Sequence, residues 1–105
     1  MSAEGLDFKV AVLALDAGSC VAASDDSECE GEVQAHHCVT QQQLRKYGLA
    51  HYRWDPCVGA SVCERHHRRH HNRSEPIGLA ALPMRVLTFA ATFDLMFVLE
   101  RYYAT

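Results

Sequence analysis

Six of the seven histidines in this chain fall in two tight groups, "AHHC" at residues 35–38 and "CERHHRRHHN" at residues 63–72. This clustering limits the fold more than any other feature. Nothing in the second run breaks a helix, so it is read as one. His67 and His71 are then four apart on a single helical face, where both rings can address one ion. His66 and His70 form a second, adjacent stripe. Neutral imidazole is the commonest metal ligand, and paired histidines one turn apart are a compact way to present two of them. One helix offers two such ligands, and a third has to come from another element. The pair at 36 and 37 can supply one ligand and leave a second imidazole beside it, free to act as a base.

The rest of the chain reads as short alternating elements. "LDFKVAVLAL" is apolar enough for a first helix, ending at "DAGS", with a strand as the alternative. Residues 20–32 are polar, acidic and loop-like. "EVQAHHCV" reads as a short strand with the histidines where it ends. "TQQQLRKYG" reads as a helix capped by Thr40 and stopped at Gly48. "WDPCVG" is a turn, because Pro56 and Gly59 both interrupt regular structure. "ASVC" is a second strand leading into the histidine helix. After the connector "EPIGLAALP", Val86, Leu87, Ala90, Phe93, Phe97, Val98 and Tyr102 recur at three- and four-residue steps. They predict a core-facing pair of helices, or one helix bent near Asp94, with Pro83 as first helical residue. The order gives an α+β class in a single domain, 1–105, with a helical extension at 76–105.

Charge is uneven along the chain. Residues 1–35 carry Lys9 against eight carboxylates, whereas residues 36–75 carry seven Lys/Arg against Asp55, Glu64 and Glu75. A basic middle can bind phosphate despite a formal net charge of −3, since the local field governs the encounter. Arg65, Arg68, Arg69 and Arg73 flank the histidine helix, and Arg45, Lys46 and Arg53 precede it. The opening "MSAEGLDFKV" lacks the basic and apolar regions of a secretory signal, and the run Val86–Leu99 is too short for a bilayer. A soluble, cytoplasmic protein with no membrane partner is expected, its five cysteines serving as ligands or free thiols rather than disulfides.

The ordered pieces "CEGEVQAHHCV", "WDPCVGASVC" and "CERHHRRHH" resemble the HNH endonucleases, most closely the small actinobacterial and phage members. The likeness covers roughly residues 15–75 and implies a ββα-metal (His-Me finger) core. On that resemblance His36, His67 and His71 hold a divalent ion (Mg, Mn, Ni or Zn), and His37 is the general base that deprotonates water. The implied activity is DNA phosphodiester hydrolysis, one strand per site, with double-strand cutting requiring a homodimer or two encounters. It further implies action beside phage terminase subunits, in the host cytoplasm if the chain is phage-encoded. Arg45, Lys46, Arg65, Arg68, Arg69 and Arg73 would contact phosphates without reading sequence.

The same resemblance suggests a structural zinc knuckle on Cys20, Cys29, Cys63 and His66. Cys63-x-x-His66 has ligand spacing, whereas Cys20 and Cys29 are nine apart and need the acidic loop between them. Cys38 and Cys57 have no expected role beyond local packing. One departure stands out: the Asn that normally braces the loop of the base histidine is Val58 here. Either another polar group, Gln34 or Asp55, takes over, or activity is reduced or lost, and Val58→Asn is expected to raise it. The rival readings are a catalytically inactive zinc-bound nucleic-acid-binding module and a metal-binding structural protein.

Overall fold

The computed structural model describes residues 2–24 and 27–105. Asp25 and Asp26 of the expected acidic loop lie outside the described residues.

The first helix, α1 (Ala3–Leu15), begins before the apolar run because the Ser2 hydroxyl caps it, accepting from the Gly5 N–H at 3.0 Å. It buries Gly5, Phe8 and Val12, while Leu6, Val10 and Leu15 on other sides stay exposed. β1 (Val33–His37) pairs antiparallel with β2 (Gly59–Cys63) in a two-stranded sheet, His36 opposite Ala60 and His37 opposite Gly59. The strand therefore runs through both histidines rather than ending before them. Alternation along the strand sends the two rings to opposite faces. Between the strands lie α2 (Gln41–Lys46), closed by a reciprocal Thr40–Gln43 capping box, and two single 3-10 turns, Ala50–Tyr52 and Pro56–Val58.

The histidine helix, α3 (Glu64–His71), follows β2 without a break. Cys63 ends the strand and caps the helix, its sulfur accepting from the His66 N–H at 3.4 Å. The helix packs on both strands. It stops at Asn72, and Arg73 turns the chain with a φ of +66°. The C-terminal part contains α4 (Met84–Thr92) and α5 (Met96–Tyr102), two helices rather than one bent helix. Pro83 occupies the capping position, so the helix starts one residue later than expected.

The break has a consequence for packing. Asp94 adopts a φ of +57°, which resets the helical register. Leu95, Val98 and Leu99 then face inward, and Phe97, expected in the core, is 56% exposed. It meets the Tyr47 ring edge-on instead.

One apolar core runs through the molecule, joining Phe8 and Val12 of α1 to Val62 of β2, Leu44 of α2, Val86 of α4 and Leu99 of α5. Gly59 is needed for the closest approach in it. A Cβ there would lie 2.6 Å from Phe8 and 2.8 Å from Val12, so α1 could not reach the sheet. The edge of this core is fastened by Arg85, whose guanidinium grips Asp16 at 2.8 and 2.9 Å and also donates to the carbonyls of Pro56 and Gly59. Among the described residues, no helix is long and apolar enough to cross a membrane. Among the described residues the architecture is a small α+β fold of five α-helices and a two-stranded antiparallel sheet, carrying a Cys/His cluster that can hold a metal ion.

Candidate metal centres

Two groups of donor atoms converge, one on each side of α3. In the first, ligand atoms of Cys20, Cys29, Cys63 and His66 all lie within 4.8 Å of one another. Cys63 comes from the end of β2, His66 from the first turn of α3, and Cys20 and Cys29 from the segment after α1. His66 Nδ1 faces the three sulfurs at 3.0, 3.6 and 3.8 Å. Its other nitrogen, Nε2, lies 2.7 Å from the Ser27 hydroxyl, which itself donates to the Glu75 carboxylate at 2.6 Å. The serine proton is thereby committed to Glu75, so Nε2 carries the hydrogen and Nδ1 keeps a lone pair toward the sulfurs.

The sulfurs share charge unequally. Burial would push the Cys63 thiol up, but hydrogen bonds from the backbone N–H groups of His66 and Glu30 bring it down to about 6. Desolvation and the neighbouring Cys63 and Cys20 push Cys29 up to about 12. A Cys63 thiolate beside a protonated Cys29 leaves a proton that binding a metal would release. Three sulfurs and one imidazole suit zinc. The nine-residue spacing of Cys20 and Cys29 is no obstacle, since both sulfurs reach the cluster.

In the second group, nitrogens of His36, His67 and His71 lie within 4.8 Å of one another. His36 reaches across from β1 and meets the His67 and His71 rings edge-on, with centroids 5.0 and 5.6 Å away. Burial and the surrounding histidines hold His36 well below the ordinary imidazole range. Burial and His71 lower His67 as well. Neutral rings are the form that binds a cation. Gln34, two residues earlier on the strand, accepts from His67 Nδ1 at 2.7 Å and leaves Nε2 free. Gln34, one of the two residues expected to brace the loop, is thus an orienting partner of a histidine on α3.

His37 lines the same cavity of about 290 Å³ as these three residues. Its ring stacks on Phe8 at 4.5 Å, with Trp54 edge-on at 5.8 Å. Nε2 lies 2.6 Å from the Arg53 carbonyl, which can only accept, so Nδ1 is the basic nitrogen. Burial lowers its pKa below the ordinary histidine value.

The second expected stripe separates. His66 belongs to the sulfur cluster, whereas His70 is buried and accepts the Ile77 N–H at Nδ1, 3.0 Å away. Desolvation, then the nearby His71 and Arg73, bring His70 down to about 4. It clips the connector to α3. Val58 is fully buried, and its carbonyl accepts the Cys38 N–H at 2.8 Å. The turn is braced instead by Asp55, which accepts from the Cys57 N–H at 2.9 Å. An Asn side chain at position 58 would enter the core, so a loss of stability is expected to accompany Val58→Asn. Burial of Cys38 and Cys57 pushes each up to about 12, and neither belongs to a donor cluster.

Family models, curated proteins and solved structures yield no match to this chain.

The basic residues are dispersed. Lys46 and Arg73 line a cleft of about 510 Å³ together with His36, His37 and His71. Arg45 and Arg68 are exposed on α2 and α3. Arg69 pairs with Glu75 at 3.2 Å and so belongs to the sulfur-cluster side. Arg65 is half-buried with its Nε unpartnered among the described residues. Sequence reasoning missed Ser27, Glu75 and Tyr103. Serine and glutamate carry no spacing signal, and Tyr103 reads as one more core residue.

Proposed function

We propose that the chain is a metal-dependent DNA endonuclease of the HNH type, with His36, His67 and His71 holding the catalytic ion in a ββα-metal core. The observation that carries this reading is the convergence of three imidazoles, His36, His67 and His71, beside a cavity that His37 also lines, with the His37 Nε2 bonded to a backbone carbonyl. Phosphodiester hydrolysis needs those two functions: a base to deprotonate water and a positive charge against the departing oxygen.

A bound divalent ion supplies that charge and polarises the phosphate. The chain's own residues do the rest. His37 Nδ1 takes the proton from water, and the Arg53 carbonyl keeps the ring from turning. The Phe8 and Trp54 rings hold the imidazole in place and exclude solvent from that side. Lys46 and Arg73, on the walls of the adjoining cleft, hold phosphates beside the reacting one. One such site cuts one strand, so nicking is the expected product and a second copy would be needed for a double-strand break. The cysteine cluster serves as the structural zinc. Action with phage packaging proteins rests on the resemblance alone.

An all-nitrogen donor set favours nickel, cobalt or zinc over magnesium, which prefers oxygen ligands. The test is nicking of supercoiled plasmid. We expect activity with micromolar transition ions, none after chelation, and loss on His37→Ala. A protein that retards DNA and never nicks with any divalent ion would establish the non-catalytic alternative.

A further inference from the structure

His36 sits on β1, but a partner that holds its ring comes from the far end of the chain. Its Nε2 lies 2.7 Å from the Tyr103 hydroxyl, and that hydroxyl donates to the Cys38 carbonyl at 3.1 Å. His36, Cys38 and Tyr103 are all buried. A phenol has one proton, and a carbonyl can only accept. With that proton committed to Cys38, the hydroxyl oxygen faces His36 as an acceptor. The ring must carry its hydrogen on Nε2, which leaves the lone pair on Nδ1. A histidine that ligates through one nitrogen is oriented by what the other nitrogen donates to.

We propose that Tyr103 is a positioning residue of the three-histidine site, holding His36 as the Nε2–H tautomer so that Nδ1 is its ligand atom. The inference rests on the reading of His36, His67 and His71 as a cation site. It adds that a site whose ligands span residues 36–71 is completed by the chain's last turn.

The tail is fastened where this role requires it. The Tyr103 ring stacks on His70, with centroids 4.6 Å apart and planes 27° from parallel. Ala104 donates to the Ile77 carbonyl at 2.9 Å and accepts the Leu79 N–H at 2.6 Å. Ile77 is itself clipped by His70 at 3.0 Å. His70, outside the ion's reach, thus secures both the ring and the backbone that deliver the hydroxyl to His36.

The test uses the full chain, labelled with ¹⁵N and loaded with two equivalents of zinc. Long-range ¹H–¹⁵N correlation should show His36 protonated at Nε2 and zinc-bound at Nδ1. Tyr103→Phe keeps the ring on His70 and removes only the acceptor. The second zinc should then bind about 10- to 100-fold more weakly, while the first remains at one equivalent on the cysteine cluster and reports a folded protein. A wild-type His36 protonated at Nδ1, or an unchanged second-zinc affinity in folded Tyr103→Phe, overturns the proposal. If the variant cannot hold the first zinc, the wild-type spectrum decides by itself. No readout involves DNA. A chain that never nicks but loses its second zinc on Tyr103→Phe defeats the nuclease reading alone. One that nicks and binds two zincs equally well in both forms defeats the tyrosine's role alone.

Discussion

The Nε2 atom of His37 lies 2.6 Å from the Arg53 carbonyl oxygen, and this single contact selects the ring nitrogen able to accept a proton. His37→Ala is expected to lower nicking by about two to four orders of magnitude, with both metal equivalents retained. Arg53→Ala keeps the carbonyl and should change the rate less than about threefold, since a surface cation contributes little alone. Single-turnover rates at saturating metal distinguish the two. An Arg53→Ala defect as large as that of His37→Ala would contradict the backbone assignment.

Cys63 joins strand, helix and sulfur cluster in one residue, so its loss should be global. Structural zinc in small domains contributes about 10–16 kcal/mol of apparent binding free energy, comparable to or above the whole stability of a domain this size, about 5–15 kcal/mol. Cys63→Ser should abolish chelator-resistant zinc and the cooperative thermal transition together. Atomic absorption and a melting curve on the same sample check this. A variant that loses the zinc and melts as the wild type does would show the cluster to be incidental.

Val58 is sealed in the core, so an amide there has no partner. Leaving a buried polar group unsatisfied costs about 1–3 kcal/mol, and Val58→Asn should be destabilised by roughly that amount with no gain in nicking. Asp55→Ala, which removes the acceptor for the Cys57 N–H, should impair activity more than stability because it loosens the turn behind His37. Urea denaturation paired with nicking rates separates the two effects. Faster nicking by Val58→Asn would restore the expectation drawn from the family pattern.

The Asp16–Arg85 fork carries a pH dependence of defined sign. Burial raises the Asp16 carboxyl, but hydrogen bonds from Arg85 and Ser61 outweigh it and leave the folded pKa below the ordinary 3.8. The stability from this group is therefore fully present above that value and lost as pH falls through the folded pKa. Asp16→Asn should cost about 2–3 kcal/mol at neutral pH, and the gap between variant and wild type should close in more acidic solution. Comparing the two proteins at each pH cancels titration of the metal ligands, which both share. A gap that stays constant down to pH 2 would rule out ionisation of Asp16 as its source.

The residues themselves disclosed whatever depends on neighbours in sequence. The four-residue step from His67 to His71 put both rings on one face of α3 because helical geometry is local. Cys63 and His66 met for the same reason, and Thr40 capped α2 through an adjacent backbone. The identity of the two donor sets was likewise legible, since few residue types bind metals and here they are concentrated. Everything that orients those donors was settled by the packed chain. His36 is held by Tyr103, His66 by Ser27 and Glu75, and α1 is tied to α4 through Asp16 and Arg85; the partners are brought together by the core from tens of positions apart. Hydrogen bonds across such distances follow no period and use common residue types, so they leave no mark in composition or spacing. The fate of Val58 and the division of His66 from His70 belong to the same class: each depended on which side of an element the apolar core would occupy.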